Sequence, residues 1–462
     1  MIRRAVRFLD ERSGSAPLLR KALRYVFPDH WSFLLGEIAL YSFVVLVLTG
    51  IYLTLFFEPS LRDTVYDGSY EPLRGRTVSE AYDSALDLSF DVKAGLLMRQ
   101  THHWAANVFV VAIVLHLVRV FFTGAFRKPR DLVYYLGVTM LMLACLEGYL
   151  GYSLLDDLIS GMGLAIGYSA AISLPVIGGS MALLLWGGPF PSDAFEGRAY
   201  IAHVFLIPIG IAILLTLHLT LLAARHHTQF RGRGATERRV VGLPAFPGYA
   251  PRSLGLAFAT AAVLVLLGGL VQINPIWLWG PYETGLSTNA AHPDWYLGWL
   301  LGGLRLMPGF DVHLFGYTLV PNAFWAGVAF PLVVFGFLFA WPSLERRFGG
   351  DDAFHNLLYR PRDVPIRTAI GAAFFAWVAV VFYAGSADRV FLEVGVPYTW
   401  QIWIYRAAVF VAPALAFIVV RRVCEELRAN ELRPFRGLTG AAVRRTPEGG
   451  FVAERRRPGP TD

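Results

Sequence analysis

Two apolar stretches decide the fold: residues 101–124, THHWAANVFVVAIVLHLVRVFFTG, and residues 200–224, YIAHVFLIPIGIAILLTLHLTLLAA. Each is long enough to cross a hydrocarbon layer of about 30 Å as an α-helix. Each also carries two histidines at nearly the same interval, 14 residues in the first stretch and 15 in the second. An α-helix rises about 1.5 Å and turns about 100° per residue, so both members of each pair lie on nearly one face, about 21 Å apart.

The composition predicts an all-α membrane protein. Of the 462 residues, 55% are hydrophobic and only 16% are charged, which is too apolar for a soluble protein of this length. The two cysteines, Cys145 and Cys424, allow neither a disulfide framework nor a cysteine-based metal site. The basic amino end predicts a short amphipathic helix from Leu18 to Val26, ahead of the first apolar stretch.

Eight stretches are long and apolar enough to be transmembrane helices. They are predicted at 33–57, 101–124, 132–153, 200–224, 253–273, 322–341, 368–384 and 400–420. A ninth apolar stretch, 161–187, is interrupted by Pro175 and several glycines. We expect 156–187 to form helices at the outer surface that dip toward the membrane, because a ninth span would place basic segments on both sides.

Basic connections predict the orientation through the positive-inside rule. Residues 127–130 contain three basic side chains, and 225–252 contain six arginines against one acid, whereas 58–99 contain several aspartates. With eight spans, both termini and every basic connection lie in the cytoplasm. The predicted division is a segment with an amphipathic helix at 1–32, a four-helix core at 33–224, a cytoplasmic linker at 225–252, four further spans at 253–420 and a flexible cytoplasmic tail at 421–462.

This topology places the four histidines at two depths. His102 and His203 lie near the outer face, and His116 and His218 lie near the inner face. Polar residues inside a membrane span usually mark function, although one histidine could equally serve proton transfer. Two facing pairs at matched depths instead predict axial ligands of two haem irons that carry single electrons. His103 lies about 140° around the helix from His116 and is not expected on the ligand face.

Glycines repeat at the histidine interval in two other predicted spans. Gly36 and Gly50 are 14 residues apart, as are Gly137 and Gly151. A glycine inside a helix costs about 1 kcal/mol relative to alanine, so the repetition predicts clearance for two flat macrocycles. Close helix packing through small residues is the alternative.

Two arginines lie near the ends of the histidine helix. Arg99 precedes His102 by three residues, and Arg119 follows His116 by three. Both are candidates to bind haem propionates, because a guanidinium pairs well with carboxylates. The alternative is that they extend toward the membrane–water interface.

Several motifs outside the histidine helices resemble cytochrome b of the quinol–cytochrome c oxidoreductase complexes, in its long actinobacterial-type form. They are residues 151–157 (GYSLLDD), 227–230 (HTQF), 272–277 (QINPIW), 355–358 (HNLL) and 360–365 (RPRDVP). The resemblance extends from about Phe27 to Cys424. The 15-residue interval in the second histidine pair is similar to that of the chloroplast cytochrome b–f type.

The quinol-site motif of that family, Pro-Glu-Trp-Tyr, reads Pro293-Asp294-Trp295-Tyr296 in this chain. It follows the fifth predicted span, on the outer side. The resemblance implies that Asp294 accepts a proton from quinol, that Tyr296 positions the ring, and that Pro293 and Tyr152 belong to the same site. The inner quinone site is weakly marked, with Tyr25, Arg225 and His226 as candidates.

The resemblance implies two non-covalent, bis-histidine b haems, quinol oxidation at the outer face, and quinone reduction at the inner face coupled to proton-motive force. The implied quinone is menaquinone, and the implied location is a bacterial plasma membrane. The implied partners are a Rieske iron–sulfur protein, a dihaem c-type cytochrome, a terminal oxidase in a supercomplex, membrane lipid and a second copy of the complex, with no nucleic acid.

Two rival functions use the same histidines. A dihaem anchor of another quinone-linked oxidoreductase would usually have four or five spans and lack the outer motif. A proton-coupled transporter would use the histidines as proton relays and would show no haem absorbance.

Overall fold

The computed structural model describes residues 8, 10–14, 16–288, 292–432, 435–436 and 442–454. Within these residues, eight helices are long and apolar enough to cross a membrane, as predicted. We number them spans one to eight: Trp31–Leu53, Gly95–Thr123, Asp131–Ser153, Asp193–Arg225, Ala245–Leu270, Asn322–Gly349, Pro365–Ala384 and Tyr398–Glu431. The expectations for 1–7 and 455–462 lie outside the described residues.

Most spans extend beyond the apolar stretches that predict them. Span two begins at Gly95 rather than at 101, and span eight continues to Glu431 rather than ending at 420. The reason is that backbone hydrogen bonding continues into polar flanks, whereas hydropathy marks only the membrane core.

Shorter helices and strands join the spans. The other helices of three or more residues are Ala16–Leu23, Glu71–Leu73, Glu80–Phe90, Leu158–Ile172, Gly178–Trp186, Ile276–Trp279, Trp295–Leu297, Gly298–Leu306, Pro361–Asp363 and Ala387–Val394. The strand pairs are Val26–Phe27 with Leu243–Pro244, Asp63–Val65 with Thr77–Ser79, Gln229–Phe230 with Leu357–Leu358, and Val312–Leu314 with Tyr317–Val320. Strands Phe435–Arg436, Ala442–Arg445 and Phe451–Glu454 form a small sheet.

Two regions outside the spans are predicted to be helical, the stretch 161–187 and the amphipathic helix near the amino end. The stretch 161–187 lies in two short helices, Leu158–Ile172 and Gly178–Trp186, that meet near Pro175, and neither is among the eight helices long enough to cross a membrane. The amphipathic helix exists, but its predicted end at Val26 is wrong. The helix ends at Leu23, because Val26 and Phe27 pair as a strand with Leu243 and Pro244.

The first four spans form a bundle around a shared core. Small residues such as Ala39, Ala112 and Ala144 are buried in it and allow the helices to approach closely. Tyr296 and Leu297, from the connection between spans five and six, are buried in the same core. The connection that carries the Pro-Asp-Trp-Tyr motif is thus packed into the bundle. We call the end of the bundle with His102 the upper end and the end with His116 the lower end.

Candidate functional site

The upper end brings the rings of His102 and His203 next to each other in an edge-to-face arrangement. Their ring centroids are 6.1 Å apart, with ring planes 73° from parallel. Thr49 Oγ1 donates to the Val45 carbonyl at 2.7 Å and lies 2.9 Å from His102 Nδ1. Because the hydroxyl proton is already engaged, Thr49 accepts a hydrogen bond from Nδ1–H of His102. This bond places the lone pair of His102 on Nε2.

His203 is oriented in the same way by span three. Its Nδ1 lies 3.1 Å from the Glu147 carbonyl oxygen and 3.0 Å from Glu147 Oε1. A carbonyl oxygen only accepts hydrogen bonds, so Nδ1 of His203 carries the proton and Nε2 carries the lone pair. Hydrogen bonds of this kind to the remote ring nitrogen orient most metal-bound histidines. The upper pair therefore presents two Nε2 lone pairs to one position.

A π-helical turn at Ala202–Leu206 contains His203 and interrupts the α-helical winding of span four. A π turn holds one more residue than an α turn. Pro208 lacks the N–H that an α-helix would donate to the Val204 carbonyl, which favours the wider turn. The turn absorbs the additional residue in the 15-residue interval, so His203 and His218 share a face as the 14-residue pair does.

The lower pair lies deeper between the same helices. His116 and His218 are close enough to interact electrostatically. Each faces a glycine of a neighbouring span: a Cβ added to Gly36 would lie 3.3 Å from His116 Cε1, and one added to Gly137 would lie 3.8 Å from His218 Cε1. Lower-end helices thus approach the histidine rings at glycine positions.

The upper glycines face the upper histidines. A Cβ on Gly50 would lie 3.3 Å from His102 Cε1, and one on Gly151 would overlap the His203 ring. Each of the four predicted glycines is therefore adjacent to the histidine at its own depth. The 14-residue glycine interval matches the vertical separation of the two histidine pairs.

A cavity of about 290 Å³ joins the upper histidines to the Pro-Asp-Trp-Tyr motif. His102, His203, Tyr152, Asp294 and Tyr296 all line it. The structure thus brings together three of the four predicted quinol-site residues, with Pro293 half-buried directly before Asp294. The cavity walls are mostly apolar, as expected for a site that binds a hydrophobic ligand by a few polar groups.

Both carboxylate oxygens of Asp294 have partners. His103 Nε2 is 2.7 Å from Oδ1, and the Tyr296 hydroxyl donates to Oδ2 at 2.9 Å. Burial raises the pKa of Asp294, but the charge of His103 and hydrogen bonds from His103, Tyr296 and Asn107 outweigh it, so the pKa lies below its ordinary value. Burial and the charge of Asp294 raise the pKa of Tyr296, which keeps its phenol protonated.

His292, the residue directly before the motif, is also held by hydrogen bonds. His292 Nε2 lies 3.0 Å from Asp388 Oδ2, and Arg305 Nη1 donates to Asp388 Oδ1 at 2.6 Å. Asp388 therefore connects the start of the motif to the helix that follows span seven. These bonds restrict the position of Asp294 relative to the bundle.

Of the two predicted propionate-binding arginines, Arg99 is buried and Arg119 is half-buried. Arg99 Nη1 donates to the Asn274 carbonyl at 3.2 Å, while its Nε and Nη2 have no hydrogen-bond partner in the described part of the chain. Arg119 lies over the Phe33 ring at 4.1 Å, and its Nε and Nη2 are likewise unpartnered there. Buried guanidinium groups require an anion or acceptor, so these nitrogens fit carboxylate groups of a bound cofactor.

The lower end contains an aromatic cluster below the lower histidines. The Tyr25 hydroxyl lies 3.0 Å from His227 Nδ1, and its ring stacks on His226 with centroids 5.6 Å apart. Phe27 stacks on Tyr249 at 3.8 Å and contacts His227. Burial and the charge of Arg130 lower the pKa of His227 to about 4. Two of the predicted inner-site residues, Tyr25 and His226, are therefore adjacent, whereas Arg225 faces outward.

Sequence reasoning missed the residues that orient the site. Thr49, Glu147 and His103 each contact a predicted site residue from another segment of the chain. An acid in the middle of an apolar span, as Glu147 is, could have been noted as functional. Nothing in the sequence around Thr49 or His103 indicates which residue each of them contacts.

Comparison with known proteins gives the family. Residues 107–281 match the family model "Cytochrome b(N-terminal)/b6/petB". The chain is 43% identical to the cytochrome bc1 complex cytochrome b subunit of Corynebacterium efficiens, covering 98% of this chain and 84% of the relative. The corresponding subunit of Mycobacterium tuberculosis is 45% identical, covering 98% and 83%. That of Streptomyces coelicolor is 42% identical, covering 97% and 82%.

A solved structure shares the fold. A chain of "Hyperthermophilic respiratory Complex III" superposes with a TM-score of 0.66 at 19% identity, covering 92% of this chain and all of that one. The sequence relatives are similar over nearly the full length of this chain, and the solved structure has the same fold, so the two comparisons agree. The chain therefore belongs to the cytochrome b subunits of the cytochrome bc1 complex.

Proposed function

We propose that this cytochrome b holds two haems, oxidises quinol at its upper end and reduces quinone at its lower end. The observation that carries the proposal is the arrangement of four histidines as two facing pairs, with the upper pair and Asp294 lining one cavity. The upper end is proposed to face outward and the lower end the cytoplasm, because the basic connections lie at the lower end.

The residues present fit two haems. The upper ring centroids, 6.1 Å apart, leave room for one metal ion with imidazole bonds of about 2 Å on each side. His102 with His203 would hold the outer haem, and His116 with His218 the inner one. The four glycines let the neighbouring helices pack directly against the histidine rings, and the unpartnered nitrogens of Arg99 and Arg119 suit propionates. When bound, bis-histidine haems supply one-electron transfer between the two ends of the bundle.

The upper cavity can bind a quinol by its ring and position one hydroxyl. Asp294, with a lowered pKa, is ionised near neutral pH and can accept a proton from that hydroxyl. The Tyr296 phenol, which donates to Asp294, fixes the carboxylate orientation. Tyr152 lines the same space and would define the edge of the ring pocket, and Pro293 directly precedes Asp294 in the chain.

The remaining assignments rest on the family. We propose menaquinone as the quinone, with the inner site formed by Tyr25, His226 and His227. The partners proposed are a Rieske iron–sulfur protein, a dihaem c-type cytochrome, an associated terminal oxidase, lipid and a second copy of the complex. Proton release outside and uptake inside would generate proton-motive force across a bacterial plasma membrane, with both termini in the cytoplasm. We propose that residues 33–224 form the dihaem core and that residues 253–420 complete the quinol site.

The proposal is tested with two variants of the assembled complex. His218→Leu should remove one of two b-haem signals from the reduced-minus-oxidised spectrum and leave the other. Asp294→Asn should keep both signals but slow quinol oxidation by about 10²-fold or more, as expected for loss of a general base. Asp63→Asn, an exposed acid on the same side, is the control. Two intact haem signals in His218→Leu, or normal turnover in Asp294→Asn, would refute the corresponding assignment.

A further inference from the structure

A second cavity, of about 360 Å³, lies at the lower end. It is enclosed by the connection after span two, the end of span six, the start of span seven and the last turns of span eight. We call it the basic cavity, after the five cationic side chains that line it. These are Arg127, Lys128, Arg346, Arg367 and Arg428.

Arg367 is the buried centre of the basic cavity. The residue is 3% exposed, and none of its three side-chain nitrogens has a hydrogen-bond partner among the described residues. Its nearest carboxylate is Glu345, with Nη1 and Oε1 3.6 Å apart, which is beyond hydrogen-bond length. A guanidinium with five donors buried in this way is costly unless an acceptor reaches it.

The backbone is shaped to admit this guanidinium. Gly124 has a φ of +68°, and a Cβ at this position would overlap Arg367 Nη1. Both the positive φ and the missing side chain therefore favour glycine here. The end of span two leaves space that Arg367, from span seven, occupies.

Positive charge is concentrated around one aromatic ring beside Arg367. The guanidinium carbons of Arg127, Arg367 and Arg231 lie 4.0, 5.5 and 5.9 Å from the centroid of the Tyr359 ring. Cation–π contacts offset part of the desolvation cost but satisfy no in-plane N–H donor. Arg127 Nη1 also lacks a hydrogen-bond partner in the described part of the chain.

The four acids that line the basic cavity each have a cationic partner, and three of these partners line the cavity as well: Arg127 for Asp351, Arg346 for Asp131 and Arg367 for Glu345. Asp351 lies 2.8 Å from His355 Nε2, and Asp363 lies 3.1 Å from Arg360. Asp131 pairs with Arg346 at 3.6 Å, so that arginine is partly neutralised. Glu345 is the remaining acid near Arg367. Five cations and four acids line the cavity, and the three Arg367 side-chain nitrogens and Arg127 Nη1 still lack a hydrogen-bond partner in the described part of the chain.

The surroundings indicate an anion that belongs to the membrane. The basic cavity lies where spans six and seven reach the lower surface, and both carry exposed apolar residues there: Phe348 is 81% exposed and Ile366 is 57% exposed. Its own wall includes Phe126, Pro342 and Val364. A ligand with a phosphate head and acyl chains satisfies both features. We propose that the basic cavity binds the headgroup phosphate of an anionic phospholipid.

Binding is tested on the assembled complex, purified in detergent and depleted of phospholipid. Cardiolipin or phosphatidylcholine is added back, and native mass spectrometry counts the retained lipids. Arg428→Gln changes an exposed helix position on the cavity and should keep the fold; Arg367→Gln removes the buried cation. Arg421→Gln, on the same helix but paired with Glu425 at 2.8 Å, is the matched control.

Wild-type protein and Arg421→Gln should retain one more cardiolipin than Arg428→Gln at limiting lipid. Each lost cation should weaken apparent affinity by about fivefold, and loss of the buried Arg367 by more. The proposal is overturned if the variants bind cardiolipin equally, or if phosphatidylcholine is retained as well as cardiolipin. Displacement of the lipid by millimolar inorganic phosphate would assign the cavity to a free anion instead. Unchanged b-haem absorbance per protein confirms that the variants are folded.

Discussion

At the residue scale, two hydrogen bonds determine which nitrogen each upper histidine offers. Thr49 and the Glu147 carbonyl both accept from Nδ1–H, so both Nε2 lone pairs point toward the shared position. Neither partner is identifiable from spacing, because Thr49 is 53 residues from His102 and Glu147 is 56 residues from His203. The ligand candidates are predictable from sequence, but the groups that orient them are not.

Thr49→Val should loosen the outer haem site alone. Valine has nearly the same shape as threonine but cannot accept the Nδ1–H hydrogen bond of His102. Loss of such an orienting partner typically lowers metal affinity 10- to 100-fold. Redox titration of the b haems should show a shifted or diminished outer component and an unchanged inner one. Thr139→Val, a span-three threonine whose hydroxyl bonds only to the Tyr135 carbonyl, is the control; equal effects of the two changes would contradict the role of Thr49.

His103 should determine how Asp294 responds to pH. Its charge and hydrogen bond lower the pKa of Asp294, so the carboxylate remains ionised as pH falls. His103→Leu removes both effects, and the pKa of Asp294 rises because burial alone raises it. The acid limb of quinol oxidation should move to higher pH, with a greater loss of rate at acid than at alkaline pH.

The measurement is kcat against pH for quinol–cytochrome c reduction, with the haem spectrum as a control for the adjacent His102. His103→Gln, which can still donate a hydrogen bond but carries no charge, should shift the profile less than His103→Leu. An acid limb at the wild-type position in His103→Leu would rule out this role for His103.

At the element scale, the π turn of span four aligns two histidines whose spacing differs from that of span two. The 15-residue interval is read directly from the sequence and is similar to that of the b–f type, but how the helix accommodates it is not readable there. Along an ideal α-helix, a residue 15 positions further on lies about 60° around the axis, whereas one 14 positions further on lies about 40° away on the other side. One residue more in a turn at Ala202–Leu206 removes this difference.

Deletion of Leu206 should therefore be tolerated. The residue belongs to the π turn and is 59% exposed. Its loss would leave a 14-residue interval that a regular α-helix accommodates. Deletion of Val111, which is 38% exposed in the regular part of span two, should rotate His102 about 100° relative to His116 and remove a haem. The two b-haem signals per complex give the measurement, and equal haem loss in both deletions would refute the explanation.

At the scale of the whole molecule, the connections sort by charge between the two ends. The lower end carries the connections at 124–130 and 226–244, and the upper end carries the acidic connection at 54–94. Arg130 joins parts of the lower end by donating to the carbonyls of Arg225, His226 and His355 at 2.7–2.9 Å. The orientation proposed from the positive-inside rule therefore rests on the charges of all these connections together and not on one segment.

Thiol labelling tests the orientation. In a background with Cys145→Ser and Cys424→Ser, Arg74→Cys adds an exposed thiol at the upper end and Arg238→Cys adds one at the lower end. A membrane-impermeant maleimide applied to intact cells should label Arg74→Cys fully and Arg238→Cys only after permeabilisation. The reverse pattern would invert the proposed direction of quinol oxidation.

Four features follow from local composition and helical period alone: eight spans, two histidine faces, four glycines at matching intervals and a loop motif with an acid. Hydropathy and a 100° turn per residue act within one element, so they are readable without partners. Four other features depend on the tertiary structure: the π turn, the carbonyl opposite His203, the pairing of His103 with Asp294 and the buried guanidinium of Arg367. These depend on contacts between segments far apart in the chain, where packing and hydrogen-bond geometry select one partner among many.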